Sequence, residues 1–326
     1  MVIRSRAQPG GAEFTATLLE RLRADPGVCA GGELSLRGMR ASSRNTVIYR
    51  VSCGDAALFC KAELRTRPSF VKDEHEMLLE LQKRLAGTGV RSLTPVAVYP
   101  DMRVLVTREE SGESLRHYID EALRAPLGST ARCFVEGLMR RSAEALYRFH
   151  VAFGLRRDET GLEQACSYMD FHPGNLLVTS RDAREPLVMM DPPPREPERP
   201  VHFDLGTFCF GIARAGFTPQ AVLRFQQRWL DGLKADFIGA YFSRLGRRVT
   251  AADLARIRAA ERHRAGRALV RYGQFFRYRN WARELARMAY FSPIIGAYLA
   301  LQLPRSYRRL ARAQPLAVAL EAGKRA

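Results

Sequence analysis

The chain has 326 residues, 46% of them hydrophobic, and carries 52 Lys and Arg against 34 Asp and Glu, a net charge of +18. That length and apolar content give room for two lobes around ordinary cores and exclude a disordered or low-complexity chain. The six cysteines, at 29, 53, 60, 133, 166 and 209, form no Cys-x-x-Cys pair, so they read as isolated reduced thiols of a cytoplasmic protein rather than a zinc or disulfide framework. Residues 1–25 are polar and charged with no secretory apolar run, and the first ten or so are expected to be flexible. The polar stretch Leu36 to Thr46 contains one glycine, Gly38, and leads into a strand at Val47–Val51. It lacks a glycine-rich fingerprint, yet Ser42, Ser43, Asn45 and Thr46 offer hydroxyl, amide and backbone donors to phosphate oxygens. Leu58–Ala62 is a strand with Lys61 near its end, and Val71–Leu81 has helical apolar spacing. Glu74 and Glu76 on that helix lie two residues apart and therefore face different sides. Arg103–Thr107 reads as a further strand, followed by an acidic linker and a helix starting near Glu113 or Ser114. A long amphipathic helix runs from about Thr130 to His150, where the histidine reads as structural.

The most informative segment is Tyr168-Met169-Asp170-Phe171-His172-Pro173-Gly174-Asn175-Leu176-Leu177-Val178, with Asp191 just downstream. Phosphoryl transfer needs such a set: a carboxylate to orient and deprotonate a hydroxyl, then an Asn and an Asp to hold Mg²⁺ on the phosphates. Apolar runs directly after Asn175 and directly before Asp191 predict two short strands, with a polar turn over Thr179 to Pro186. Pairing of those strands would carry Asn175 and Asp191 to the same end of a hairpin. The Pro-rich stretch from Asp191 to Pro200 is a stiff loop.

These residues resemble the catalytic loop and metal-binding strand of the kinase-like small-molecule phosphotransferases. That family includes aminoglycoside and choline phosphotransferases and, more distantly, kinases acting on lipopolysaccharide core sugars. The resemblance covers roughly residues 35–210, and its specific part is 168–206. It implies ATP and Mg²⁺ as cofactors, Asp170 as catalytic base, and Asn175 and Asp191 as metal ligands. Lys61 would grip the nucleotide phosphates, held by Glu74 in preference to Glu76 by register, and Ser42, Ser43 and Asn45 would cover them. Asp204, in Phe203-Asp204-Leu205-Gly206, takes a structural role by the same resemblance. Tyr168 stands where many relatives have a loop-propping His, and His172 reads as a brace for the loop. The fold implied is α+β and two-lobed, with a small antiparallel-sheet lobe over 1–107 and a hinge at 108–112. A mainly helical lobe over 113–313 and a tail over 314–326 follow.

Charge is concentrated at one end. From Tyr241 to Ala326 there are 19 Lys and Arg against 4 Asp and Glu, with aromatics Tyr272, Phe275, Phe276, Tyr278 and Trp281 interleaved. An uncharged run from Met288 to Pro304 follows, broken by Pro293 and Gly296 and short for a spanning helix. Two readings stand level: a module docking peripherally on the anionic inner face of a membrane, and a solvated Arg-rich helix packed on the large lobe. Nucleic acid ranks third. The same charge disfavours a polycationic acceptor and favours an anionic one, such as a phosphorylated sugar, a sugar acid or a glycolipid. Glu109, Glu110, Glu113 and Asp120 are the residues able to build a locally acidic pocket instead. The reading adopted is an ATP- and Mg²⁺-dependent kinase acting on a sugar or glycolipid hydroxyl. Its alternatives are an antibiotic phosphotransferase and a non-catalytic nucleotide-binding regulator. A protein kinase is disfavoured because no Ala-Pro-Glu motif follows Asp191.

Overall fold

A computed structural model describes residues 8–29, 32–41, 46–64, 68–126, 128–182, 185–192, 198–217, 226–273 and 281–322. Ser42, Ser43 and Asn45, expected over the phosphates, lie outside the described residues, as do the first seven residues. The chain divides into two compact units, one formed by Met1–Ser111 with Val188–Arg195, the other by Gly112–Leu187 with Glu196–Ala326.

In the first unit, helix α1 (Ala12–Ala24) precedes strands β1 (Leu34–Ala41), β2 (Thr46–Cys53) and β3 (Ala56–Glu63). Helix α2 (Val71–Leu85) and strands β4 (Val90–Ser92), β5 (Pro95–Tyr99) and β6 (Val104–Arg108) follow. Five strands pair antiparallel in the order β1-β2-β3-β6-β5. Strand alternation assigns the two faces. Val47, Tyr49 and Val51 of β2 and Leu58, Cys60 and Ala62 of β3 pack on one side with Phe14, Leu18 and Leu22 of α1. Leu105 of β6 packs on the other side with Val71 and Leu78 of α2. Helix α1 had no counterpart in the sequence reading, although Phe14, Leu18 and Leu22 recur every four residues on its buried stripe.

One expectation fails in this unit. Cys29 and Cys53 form a disulfide with a Cα–Cα separation of 5.8 Å, so they are not isolated thiols. The pair joins the segment after α1 to the end of β2, and a bridge set by tertiary proximity leaves no signature in the spacing of cysteines along the chain. Cys60, Cys133, Cys166 and Cys209 are not disulfide-bonded.

The second unit begins with β7 (Glu113–Ser114), α3 (Leu115–Arg124) and α4 (Thr130–Ala152). Next come β8 (Arg156–Arg157), β9 (Glu163–Cys166), a 3₁₀ turn at Pro173–Asn175, β10 (Leu176–Val178), β11 (Leu187–Met189), whose last two residues belong to the first unit, and β12 (Glu198–Pro200). The rest is helical: α5 (His202–Ala215), α6 (Gln227–Arg244), α7 (Ala251–Gly273), α8 (Trp281–Ala297), a π turn at Tyr298–Gln302 and α9 (Leu303–Ala322). Ser114 caps α3, its hydroxyl accepting the N–H of His117 at 3.3 Å. Strand β7 pairs antiparallel with β10. Gly112 is needed there, because its φ of +132° and a Cβ only 2.4 Å from the Val178 carbonyl oxygen would exclude any side chain.

Helix α5 is buried almost throughout and forms the axis of this unit. Phe208 stacks on Phe237 of α6 at 4.0 Å and on Phe171 at 5.2 Å between ring centroids. Against α7, a Cβ on Gly206 would lie 2.6 Å from the Ala260 methyl, so the glycine lets two helix backbones approach closely. Within the uncharged run, Ile295, Tyr298 and Leu303 are buried in the protein, and Lys234 of α6 bonds Glu261 of α7 and the Tyr298 hydroxyl. Among the described residues no helix is long and apolar enough to cross a membrane. An antiparallel-sheet unit followed by a mainly helical one is the α+β architecture expected from the sequence.

Candidate active site

Lys61 and Leu105 are register partners across β3 and β6, so the lysine stands on the sheet face that carries α2. Its ammonium donates to both Glu74 carboxylate oxygens, at 2.8 and 2.9 Å, and to Asp191 Oδ1 at 3.0 Å. Glu74 is buried in the first full turn of α2, whereas Glu76 is exposed and pairs with Lys72. Helical geometry alone separates them: two residues along a helix turn a side chain through about 200°. Burial works against the charge on Lys61, but the Glu74 and Asp191 carboxylates outweigh it and hold the amine above the usual lysine range. Asp191 has a positive φ of +52° and a half-exposed side chain, directed at Lys61 and solvent.

In the second unit the loop containing Asp170 is built around a buried carboxylate. Asp204 in the first turn of α5 accepts from the Ser167 hydroxyl, the Tyr168 N–H and the Met169 N–H, each at 2.9 Å, and contacts His150 Nε2 at 3.0 Å. His150 in turn contacts the Tyr241 hydroxyl at 2.6 Å, so α4, α5 and α6 all converge on the loop. Met169 takes a positive φ of +62° between these anchors. Tyr168 is fully buried, its ring edge-on to Phe149 and Phe171, and its carbonyl accepts the Asp170 N–H at 2.6 Å. His172 accepts the Gly174 N–H on Nδ1 at 2.9 Å, and its Nε2 lies 3.6 Å from Asp170, too far for a hydrogen bond. Asn175 donates its amide nitrogen to the Asp170 carbonyl at 3.1 Å, which leaves the amide oxygen as the end not used in that bond. Close packing sets the loop's height: a Cβ on Gly211 of α5 would meet Pro173 Cδ at 2.4 Å.

The half-exposed Asp170 carboxylate opens into a cleft of about 470 Å³ in the second unit. Arg116 and Asp120 of α3, Arg214 of α5, and Arg264 and Arg267 of α7 reach it. The Arg264 guanidinium donates to Asp170 itself. Arg116 donates through Nε to both Asp120 oxygens at 3.0 Å and through a terminal nitrogen to the Arg214 carbonyl at 3.2 Å. Four guanidinium groups thus face two carboxylates. Of the four residues able to build an acidic pocket, only Asp120 lines this cleft; Glu109 pairs with Arg50 and Glu110 with Arg91, while Glu113 lies beside His117. Sequence reasoning counted Arg264 and Arg267 only as part of a basic helix. Their spacing of three residues put them on one face, but nothing in the sequence said which face meets Asp170.

No family profile matches this sequence, and no curated protein does. Solved structures do match it. A spectinomycin phosphotransferase, determined with ADP and spectinomycin, is 12% identical, with 88% of this chain and 98% of that one covered at a TM-score of 0.50. A candidate aminoglycoside phosphotransferase from Ralstonia eutropha is 11% identical, with 93% of this chain and 98% of that one covered at a TM-score of 0.58. The chain therefore has the fold of the kinase-like small-molecule phosphotransferases.

Proposed function

We propose that this chain transfers the γ-phosphoryl group of ATP to a hydroxyl of a small molecule, with Mg²⁺ as cofactor. The observation that carries the reading is the meeting of Lys61, Glu74 and Asp191, three residues brought from a strand, a helix and a segment 130 positions downstream of the lysine. A lysine held by a helix glutamate and facing a half-exposed aspartate is the arrangement that positions nucleoside triphosphate oxygens and a hard cation. We take residues 1–107 as the nucleotide-holding lobe, 108–112 as the hinge, 113–313 as the acceptor lobe and 314–326 as a tail. Ser42, Ser43 and Asn45 complete the proposal as the residues covering the phosphates.

The donor set fits Mg²⁺, since the Asp191 carboxylate and the Asn175 amide oxygen are hard ligands, and this ion needs only one or two protein groups beside phosphates and water. Bound Mg²⁺ would supply neutralisation of charge on the β- and γ-phosphates. Lys61 would bind the α- and β-phosphates. Asp170 would take the acceptor's hydroxyl proton as the oxygen bonds to the γ-phosphorus, while the bond from that phosphorus to the bridging oxygen breaks and ADP leaves with the electron pair. Asp204 and His172 would hold the loop in place without touching the reacting atoms.

For the acceptor we propose a sugar or glycolipid hydroxyl, as in a lipopolysaccharide-type substrate. The arginine-lined cleft supports this over the polycationic acceptor of an antibiotic phosphotransferase. With a glycolipid acceptor the protein would work peripherally at the inner face of the membrane through its basic 241–326 region. Sedimentation with phosphatidylglycerol vesicles at low and high salt tests that placement: salt-sensitive co-sedimentation is expected, and none at low salt removes it. Turnover itself is tested by ADP release with Mg·ATP and a panel of sugars and glycolipids. Transfer lost in Asp170→Asn is expected; transfer unaffected by that change would defeat the assignment.

A further inference from the structure

The cleft beside Asp170 has a composition that the proposed chemistry does not require. A hydroxyl acceptor needs a base and space, which Asp170 and a neutral pocket would provide. Here Arg116, Arg214, Arg264 and Arg267 line it, drawn from α3, α5 and α7, with Asp120 and Asp170 as the opposing charges among the described residues. Three separate helices delivering guanidinium groups to one cleft is unlike a solvated basic face, where successive arginines sit on a single helix and point to water. The local geometry is also fixed. Arg116 is held by Asp120 and by the Arg214 carbonyl, which ties α3 to the end of α5. Arg264 is mostly shielded from solvent, and its helix is locked against α5 by the contact that Gly206 permits.

We propose, building on the kinase reading above, that this cleft is an anion subsite and that the acceptor carries a phosphate or carboxylate beside the hydroxyl it presents. Arginine suits such a group because its planar fork donates two parallel hydrogen bonds to two oxygens. Arg264 already bonds one carboxylate, that of Asp170, and is the residue shared between the base and the bound anion. It fixes the distance from the acceptor's anionic group to its reactive hydroxyl. Arg214 and Arg267, exposed at the cleft's rim, supply the remaining charge that selects anionic over neutral and cationic acceptors.

The test is calorimetric, on the full chain, with inorganic phosphate, a glucose monophosphate and glucose as probes, each with and without saturating Mg·ADP. Wild type is compared with an Arg214→Ala/Arg267→Ala double variant, whose folding is checked by thermal melting and by unchanged Mg·ADP affinity. Both phosphate probes should bind wild type and lose roughly tenfold in affinity in the variant, with glucose the same in both. Phosphate binding that is equal in both proteins, or absent together with any arginine-dependent capture of phosphatidylglycerol vesicles, while Mg·ADP binds normally overturns the subsite and leaves the kinase reading standing. Arginine-dependent phosphate binding without any Mg·ADP binding supports the subsite and sinks the kinase reading instead. Phosphatidylglycerol vesicles form a final arm: arginine-dependent capture of vesicles without capture of the soluble phosphates assigns the anion to a lipid headgroup.

Discussion

Lys61 makes three polar contacts, and each has a different consequence when lost. Replacing it by Met leaves Glu74 buried without its cation, so some stability is lost, but under the proposed function the main effect falls on nucleotide chemistry. Lys61→Met should lower ATP turnover by about a hundredfold or more, with a cooperative thermal transition retained; a melting curve and an ADP-release assay on the same sample check both parts. Asp204 behaves in the opposite way. Its carboxylate accepts three donors and contacts His150, and an amide can neither accept from all of them nor keep the charge. Asp204→Asn should lower stability by on the order of 3 kcal/mol in urea unfolding, with turnover falling because the loop relaxes. Stability unchanged in Asp204→Asn would show that the loop stands without this anchor. Asp170, Asn175, Asp191 and Lys61, the residues proposed to carry the chemistry, could be singled out in the sequence because phosphoryl transfer restricts residue type and local spacing. Arg264 was not, since its place beside Asp170 depends on how α7 packs, 94 positions downstream.

At the scale of elements, packing contacts decide what the loops can do. Gly206→Ala would press a methyl group onto Ala260 and the Glu261 N–H. It should cost about 1–3 kcal/mol, and by shifting α7 it should weaken inorganic phosphate binding at the Arg264 cleft. Near the same helix, His202 lies buried with Nε2 2.8 Å from Asp253. Burial lowers its pKa and outweighs the Asp253 carboxylate, so the folded state favours the neutral ring. The unfolded chain then binds the proton more readily, and His202 contributes stability that is present above about pH 6.5 and fades as pH falls further. The melting temperature should drop between pH 7.5 and 5.5 with a slope that is shallower in His202→Asn; equal slopes would remove His202 as the cause. Most strands and helices followed from alternation and helical spacing, as with Leu58–Ala62 and Thr130–His150. Helix α1 and the disulfide did not, because a stripe of three buried apolar residues in a short charged helix carries a weak signal and a bridge depends on proximity in space. Reducing Cys29–Cys53 should cost about 2–4 kcal/mol by restoring freedom to the unfolded chain, measurable as a lower melting temperature of Cys53→Ser.

For the whole molecule, the net charge of +18 is the property with the most to explain. Part of it goes into internal pairing: Arg247 bonds both Glu163 and Asp253, and Arg309 bonds Asp231. Another part gathers at the cleft beside Asp170, where we propose that it bears on the choice of acceptor. The uncharged run that read equally well as a membrane element buries Ile295, Tyr298 and Leu303 inside the helical unit, which gives those residues a packing role of their own. The fold was legible as a class, since a strand lysine, a helix glutamate and a catalytic-loop pattern in that order have few architectures to belong to. For the acceptor the sequence offered only an expected sign of charge, and the arginines of the cleft could not be placed from it, because the cleft is assembled from helices far apart in sequence. The most direct test of the central claim is transfer of radiolabelled γ-phosphate from Mg·ATP to a mixed pool of sugar phosphates, sugar acids and envelope glycolipids, by wild type and Asp170→Asn side by side. Label should enter an anionic acceptor with wild type and fall to background with Asp170→Asn; Mg·ATP binding by both proteins with no Asp170-dependent transfer to any acceptor would contradict the account.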